Sequence, residues 1–134
     1  MNPAPIQTYD VKLNILYVSH PAPVRLDTRE QIRAYFDRIV SFWQLTCAGR
    51  KAYYLVDWTD FTTNMVENSY YAEQVKRVID DCAIAIVRYT DNPMQRAAGR
   101  LAAIKMHKPS NIYETRDEAL KVIEALRSGK LRAG

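Results

Sequence analysis

The sequence contains few of the features from which membrane spans, secretion signals and phosphate-binding loops are built. None of its apolar runs approaches the roughly 20 residues that a transmembrane helix requires. The first residues, MNPAP, lack the basic start and apolar core of a signal peptide, which predicts a cytoplasmic location. The four glycines form no GxGxxG or GxxxxGKS/T loop, so the usual nucleotide-phosphate motifs are excluded.

Cysteine and histidine are equally scarce, with two of each in the chain. Cys47 and Cys82 match no metal-binding or redox spacing, and both lie beside predicted core elements. We therefore expect two buried free thiols, which suits a reducing compartment. His20 and His107 stand outside any recognisable motif, so no Ser/His/Asp triad can be assembled. The sequence predicts neither a catalytic residue nor a cofactor.

The net charge of +4 is unevenly distributed along the chain. Residues 1–92 carry ten Lys/Arg and eleven Asp/Glu, whereas residues 93–134 carry nine and four. A basic end raises nucleic acid as a partner. However, the chain has no run of five basic residues and no aromatic residues between its charges. These absences argue against a nucleic-acid-binding protein.

Apolar periodicity predicts four strands that alternate with four helices. The first strand alternates from Val11 to Tyr17 and is expected at a sheet edge, whereas the unbroken apolar run from Ala52 is expected at the centre. Pro93 follows an asparagine cap and opens the third helix. The other three helix starts have the spacing of a capping box: Asp27 with Glu30, Asn64 with Glu67, and Thr115 with Glu118.

Buried strands separated by helices imply right-handed crossovers and a largely parallel sheet. We therefore predict one α/β domain over residues 1–134. It is a sandwich with a small, mostly parallel sheet of four to five strands and about four helices. Residues 1–10 form an N-terminal arm or, like residues 24–26, supply a further strand, and residues 130–134 form a C-terminal tail.

The apolar faces of two helices predict what each helix contacts. The first has an unusually wide apolar arc, which indicates either deep burial or a subunit contact at Tyr35 and Phe42. A homodimer is the partner that this contact would serve. The third helix is expected to pack on the sheet through one apolar stripe: Met94, Ala97, Ala98, Leu101 and Ile104.

Polar side chains follow the two buried strands at the edge where α/β sheets usually bind ligands. The candidate site residues after the central strand are Asp57, Asp60, Thr62, Thr63 and Asn64. Thr90 and Asp91 follow the next strand, and Arg96 would attract an anion there. The three carboxylates could hold a hard cation such as magnesium, or they could serve only as turn residues. No metal is predicted.

Three segments resemble the SpoIIAA-like group of the STAS fold. They are Tyr54-Leu55-Val56-Asp57 leading into a helix, the strand Ala83–Val87, and a short strand and helix from Ile112 to Leu120. The resemblance implies a non-enzymatic domain that binds a protein partner, or a lipophilic or nucleotide ligand. In that group a phosphorylatable serine lies about nine residues after the strand aspartate, but this chain has Val66 there. The resemblance therefore implies the fold without the phosphorylation switch.

Three functions remain open from the sequence. The first is a non-enzymatic regulatory or protein-interaction domain with an unknown protein partner, which predicts an apolar contact patch and no deep pocket. The second is a module for a small lipid or nucleotide ligand, which predicts an aromatic-lined cavity of a few hundred Å³ between helix and sheet. The third is an enzyme with a carboxylate-bound metal, which predicts converging aspartates. No membrane span is expected for any of them.

Overall fold

A computed structural model describes residues 2–105 and 111–130 of the chain. His107 and most of the predicted C-terminal tail lie outside these residues. The described part contains seven strands, four α-helices and a 3-10 turn at Met65–Glu67. The strands are β1 Ile6–Asp10, β2 Ile15–Ser19, β3 Val24–Leu26, β4 Ala52–Asp57, β5 Phe61–Thr63, β6 Ala83–Tyr89 and β7 Ile112–Tyr113. The helices are α1 Arg29–Thr46, α2 Asn68–Asp81, α3 Pro93–Lys105 and α4 Arg116–Arg127.

The main sheet has five strands in the order β1-β2-β4-β6-β7. Only β1 runs antiparallel to its neighbour, and the other pairs are parallel. The predicted α/β class, the mostly parallel sheet and the four helices are thus confirmed. Residues 24–26 also form a strand, but β3 pairs with β5 in a separate two-stranded sheet.

The predicted start of the first strand is wrong. Residues 11–14 turn between β1 and β2, where Asp10 Oδ1 accepts a hydrogen bond from the Leu13 N–H at 3.0 Å. Asn14 takes the left-handed backbone conformation (φ 53°) that completes the turn. Val11 is accordingly 67% exposed, and the alternating pattern belongs to a hairpin.

Two of the three predicted capping boxes also differ in the structure. Thr28, not Asp27, caps α1: its hydroxyl accepts from the Gln31 N–H at 3.2 Å, and Gln31 Oε1 accepts from the Thr28 N–H. Asn64 caps the 3-10 turn that precedes α2. Thr115 caps α4 as predicted, by accepting from the Glu118 N–H.

The helices lie in two layers on the sheet. Helix α4 covers one face, where Leu55 and Val87 pack with Ala119 and Ile123. The opposite face contacts α1 and α2 through a larger core that includes Tyr54, Phe36 and Val78. Helix α3 lies on this second face at the β7 edge, where Gly99 faces Ile112 and Trp58.

Helix α3 packs through a different stripe from the one predicted. Met94, Leu101 and Ile104 are 80%, 55% and 70% exposed, whereas Gly99 and Ala103 are buried. A side chain at Gly99 would overlap Ile112, so the glycine lets the helix backbone approach the sheet closely. Close approach through small residues turns the apolar stripe outward.

Candidate functional site: a cavity between helix and sheet

An apolar cavity of about 660 Å³ lies between α2 and the face of the sheet that α1 also covers. Strands β4 and β6 form its floor, and α2 forms one wall. Its apolar and aromatic lining includes Val18, Tyr35, Phe36, Ile39, Tyr54, Val56, Trp58, Phe61, Tyr71, Val75, Val78, Ile79, Ile84 and Ile86. The volume lies within the range of small-molecule sites.

One end of the cavity carries a cation among aromatic rings. The Arg88 guanidinium lies over the Trp58 ring, with Cζ 4.9 Å from the ring centroid. This is the geometry of a cation–π contact. Tyr71 reaches the same point from α2, and its hydroxyl hydrogen-bonds with the Arg88 side chain. Three parts of the chain therefore converge here: the residue after β4, the C-terminal end of β6 and the first turn of α2.

Two buried polar groups on the lining make no hydrogen bond of normal length and angle with any described residue. They are the indole N–H of Trp58 and the hydroxyl of Tyr54. Both residues are more than nine-tenths buried. Buried polar groups in folded proteins are nearly always hydrogen-bonded to protein, water or a ligand. The Tyr71 hydroxyl adjoins the Trp58 N–H, and the Cys82 thiol adjoins the Tyr54 hydroxyl, so each of the two groups has a polar neighbour within the protein.

Burial shifts the ionisation of the groups at this end. Desolvation raises the pKa of the Tyr71 phenol, and the positive charge of Arg88 opposes that rise. Desolvation also lowers the pKa of Arg88 from its usual value, although an arginine still keeps its charge at neutral pH. The cavity thus presents a neutral phenol and a partly desolvated cation.

His20 and Tyr35 form a hydrogen-bonded pair at the aromatic wall. His20 Nδ1 lies 3.0 Å from the Asp57 carbonyl oxygen, and Nε2 lies 2.9 Å from the Tyr35 hydroxyl. Both contacts are satisfied when Nδ1 donates and Nε2 accepts, which is a neutral imidazole. Burial lowers the pKa of His20, which favours that same form. Tyr35 is only 9% exposed and lines the cavity, and Phe42 is partly buried against the core.

The predicted site residues of the β4–β5 segment build local structure beside β3. Asp60 adopts the left-handed conformation at φ 53°, and its carbonyl accepts from the Val24 N–H. Asn64 accepts from the Val66 N–H and donates to the Asp27 carbonyl. Together with Thr62 and Thr63 they border an open depression outside the cavity.

The remaining predicted site residues lie near the start of α3 and the end of β4. Asp57 Oδ1 accepts from the Thr59 N–H at 3.0 Å, which makes the aspartate a turn residue. Thr90 is fully buried, and Arg96 donates to its carbonyl oxygen at 2.8 Å. Asp91 is exposed. Among the described residues no three His, Cys, Asp or Glu side chains are grouped to hold a metal ion.

Gln95 and Arg88 were not predicted from the sequence as site residues. The Gln95 amide donates to the carbonyl oxygens of both Trp58 and Phe61, and it thereby ties α3 to the segment after β4. No local pattern marks a glutamine in this role. Arg88 could have been found from the sequence, because it is a charged residue within an otherwise apolar strand that is covered on both faces.

No protein-family model matches this chain, and no curated protein matches it. None of the described helices combines the length and the apolarity needed to cross a membrane.

Proposed function

We propose that this chain is a non-enzymatic binding domain that holds a small apolar ligand in the cavity between α2 and the sheet. The observation that carries the proposal is the cavity itself, about 660 Å³ in volume and walled by aliphatic and aromatic side chains. Sites for small molecules are concave, mostly apolar and equipped with a few polar groups. This cavity has all three properties.

The resemblance to SpoIIAA-like and STAS domains supports the same proposal, because it implies either a lipophilic ligand or a protein partner. The polar groups at the cavity, from Trp58, Tyr71 and Arg88, suit recognition of a ligand. They do not form a nucleophile–base pair of the kind that covalent catalysis requires. In such a regulatory domain, binding and release of the ligand would be the signal.

A neutral fluorescent probe such as N-phenylnaphthylamine tests this function. Its emission should rise saturably, with one probe bound per chain. Ile86→Trp should abolish the rise, because the larger ring occupies the cavity floor. Leu45→Trp is the matched control: Leu45 is 88% exposed on α1 and outside the cavity lining, so binding should persist. Equal binding to both variants would refute the cavity as the site.

A second candidate function is self-association through α3. Its stripe of exposed apolar residues is contiguous on one helix face, since Met94, Leu101 and Ile104 recur at helical spacing. The small residues Ala97 and Ala98 lie between them and are exposed too. An isologous pair of antiparallel α3 helices would let these alanines approach closely and would bring Met94 near Ile104 of the second copy.

Native mass spectrometry tests the second candidate and detects a retained ligand in the same experiment. The expected species is a dimer, which Leu101→Glu should convert to a folded monomer. The exposed Leu45→Glu on α1 is the matched control and should leave the dimer intact. A monomeric parent chain at micromolar concentration would rule out this interface.

A further inference from the structure

We infer that the cavity takes an uncharged ligand with a carbonyl-type hydrogen-bond acceptor on an apolar body, such as a ketone or an ester, and that the Tyr71 hydroxyl donates to that acceptor. The inference rests on the proposed ligand-binding function and adds the chemical class of the ligand. Tyr71 lines the cavity from α2, and the aliphatic lining that would contact the rest of the ligand includes Val75, Ile79 and Ile84.

The hydroxyl oxygen of Tyr71 is the first step. This oxygen hydrogen-bonds with the side chains of Trp58 and Arg88. The indole N–H and the guanidinium N–H groups can only donate, so the Tyr71 oxygen is the acceptor in both hydrogen bonds. Two accepted hydrogen bonds occupy the two lone pairs of a hydroxyl oxygen. What Tyr71 can still offer to a further partner is therefore the hydrogen of its own hydroxyl.

The partner of that hydrogen is the second step. Two other tyrosine hydroxyls donate within the protein: Tyr35 to His20 Nε2 at 2.9 Å and Tyr9 to Asn14 Oδ1 at 2.6 Å. In the described part of the chain no acceptor takes the Tyr71 hydrogen in the same way. Because Tyr71 lines the cavity, an acceptor on an occupant can meet this hydrogen.

The strength of the Tyr71 donor is the third step. One of its two accepted hydrogen bonds comes from a guanidinium, and chains of hydrogen bonds polarise one another. The hydrogen bonds from Trp58 and Arg88 accordingly oppose the rise in the Tyr71 pKa that burial causes. A polarised O–H at an apolar wall favours a ligand with an acceptor over a pure hydrocarbon.

The number of available donors selects the kind of acceptor. A single O–H satisfies a carbonyl oxygen, whereas a carboxylate that leaves water needs several donors or a paired cation. Trp58 and Arg88, the donors nearest to Tyr71, already bond to it. The other charged residues of the lining, Glu73 and Lys76, are both exposed. An uncharged carbonyl therefore fits this end of the cavity better than an anion.

The test compares 2-decanone with 2-methyl-1-decene as displacers of bound N-phenylnaphthylamine. The two molecules have the same apolar chain, and a CH2 group replaces the carbonyl oxygen in the alkene. Tyr71→Phe should lower the ratio of ketone affinity to alkene affinity by about tenfold, as expected for one lost hydrogen bond. The different solubilities of the ligands cancel, because the same two ligands are compared in both proteins. Tyr70→Phe is the matched control: Tyr70 lies on α2 outside the cavity lining and should keep the parent ratio.

The infrared band of the bound ketone is a second measurement, and it needs no variant. The C=O stretch of 2-decanone should lie at a lower frequency in the parent protein than in hexane, because a hydrogen bond weakens the carbonyl bond. If Tyr71→Phe does not fold, the position of this band decides whether the ligand accepts a hydrogen bond.

The outcomes separate the inference from the proposed function. An unchanged affinity ratio in Tyr71→Phe, or a C=O band at its hexane frequency, would overturn the hydrogen bond and leave an apolar site. An equal fall of the ratio in Tyr70→Phe would overturn the assignment to Tyr71. Tighter binding of decanoate than of 2-decanone by the parent protein would overturn the uncharged class. Failure of the probe and of both displacers to bind would overturn the proposed function itself.

Discussion

The Arg88 guanidinium stacks on the Trp58 indole ring, with 4.9 Å between Cζ and the ring centroid. This contact joins β6 to the end of β4 at the point where the cavity is most polar. The same indole ring also lies next to Gly99 of α3. Trp58 therefore links the chemistry of the cavity to the packing of a helix.

Gly99→Ala should destabilise the fold. The added methyl would overlap Ile112 Cδ1 and lie 3.2 Å from Trp58 Cζ3, and Ile112 is only 1% exposed, so it has little room to move. Overpacking of this kind typically costs about 1–3 kcal/mol, more than the helix gains from alanine. Urea denaturation measures the change. Ile112→Val removes Cδ1 and should make Gly99→Ala less damaging in the double variant than in the parent background.

Stability should fall as the pH drops below about the ordinary histidine pKa of 6.5. Burial lowers the pKa of His20 in the folded state, so the unfolded chain binds the proton more readily in this range. Protonation would also place an N–H where Nε2 now accepts from Tyr35. His20→Asn should be less stable at neutral pH and should show a shallower loss of thermal stability between pH 7 and pH 5. An unchanged slope would contradict this role.

Gln95→Ala should loosen the segment between β4 and β5. It removes the amide that donates to the carbonyl oxygens of Trp58 and Phe61. Buried acceptors left without donors cost about 1–3 kcal/mol. Gln44→Ala, on an exposed position of α1, is the matched control and should change the free energy of unfolding by less than about 0.5 kcal/mol. Similar losses in the two variants would contradict the bridging role.

Both cysteines should resist modification in the folded protein. Cys82 is fully buried, and desolvation raises the pKa of its thiol to about 11. Desolvation also raises the pKa of Cys47. Since the thiolate is the reactive form, a disulfide reagent such as dithionitrobenzoate should react with these thiols only as the chain unfolds. Rapid reaction of a thiol under native conditions would contradict the described burial.

The alternation of strands and helices could be predicted from the sequence because its signals are local. The apolar run at Ala52, the cap at Thr115 and the Asn–Pro start of α3 each act within one turn or strand. The shift of the first strand follows from the hairpin turn at Asn14, whose left-handed backbone an alternating pattern does not reveal.

The residues that line the cavity could not be predicted from the sequence, because the lining depends on how α2 packs against the sheet. The packing of α3 could not be predicted either. Gly99 brings α3 against Ile112 and Leu101 is exposed, whereas the apolar stripe of α3 predicts that Leu101 packs on the sheet. The polar residues at the strand ends were predicted as site residues from their position, and most of them hydrogen-bond to nearby backbone. The sequence shows Arg88 as a charged residue in an apolar strand. It does not show which face of the sheet the helices leave partly uncovered.

The fluorescence of Trp58 tests the central claim most directly. Trp43 and Trp58 are the two tryptophans of the chain, so Trp43→Phe leaves Trp58 as its sole reporter. Titration with decanol should change the Trp58 emission saturably at one ligand per chain, and the added Ile86→Phe substitution should suppress the change by filling the cavity. Emission that stays constant, or that changes equally in the filled variant, would contradict a ligand site between α2 and the sheet.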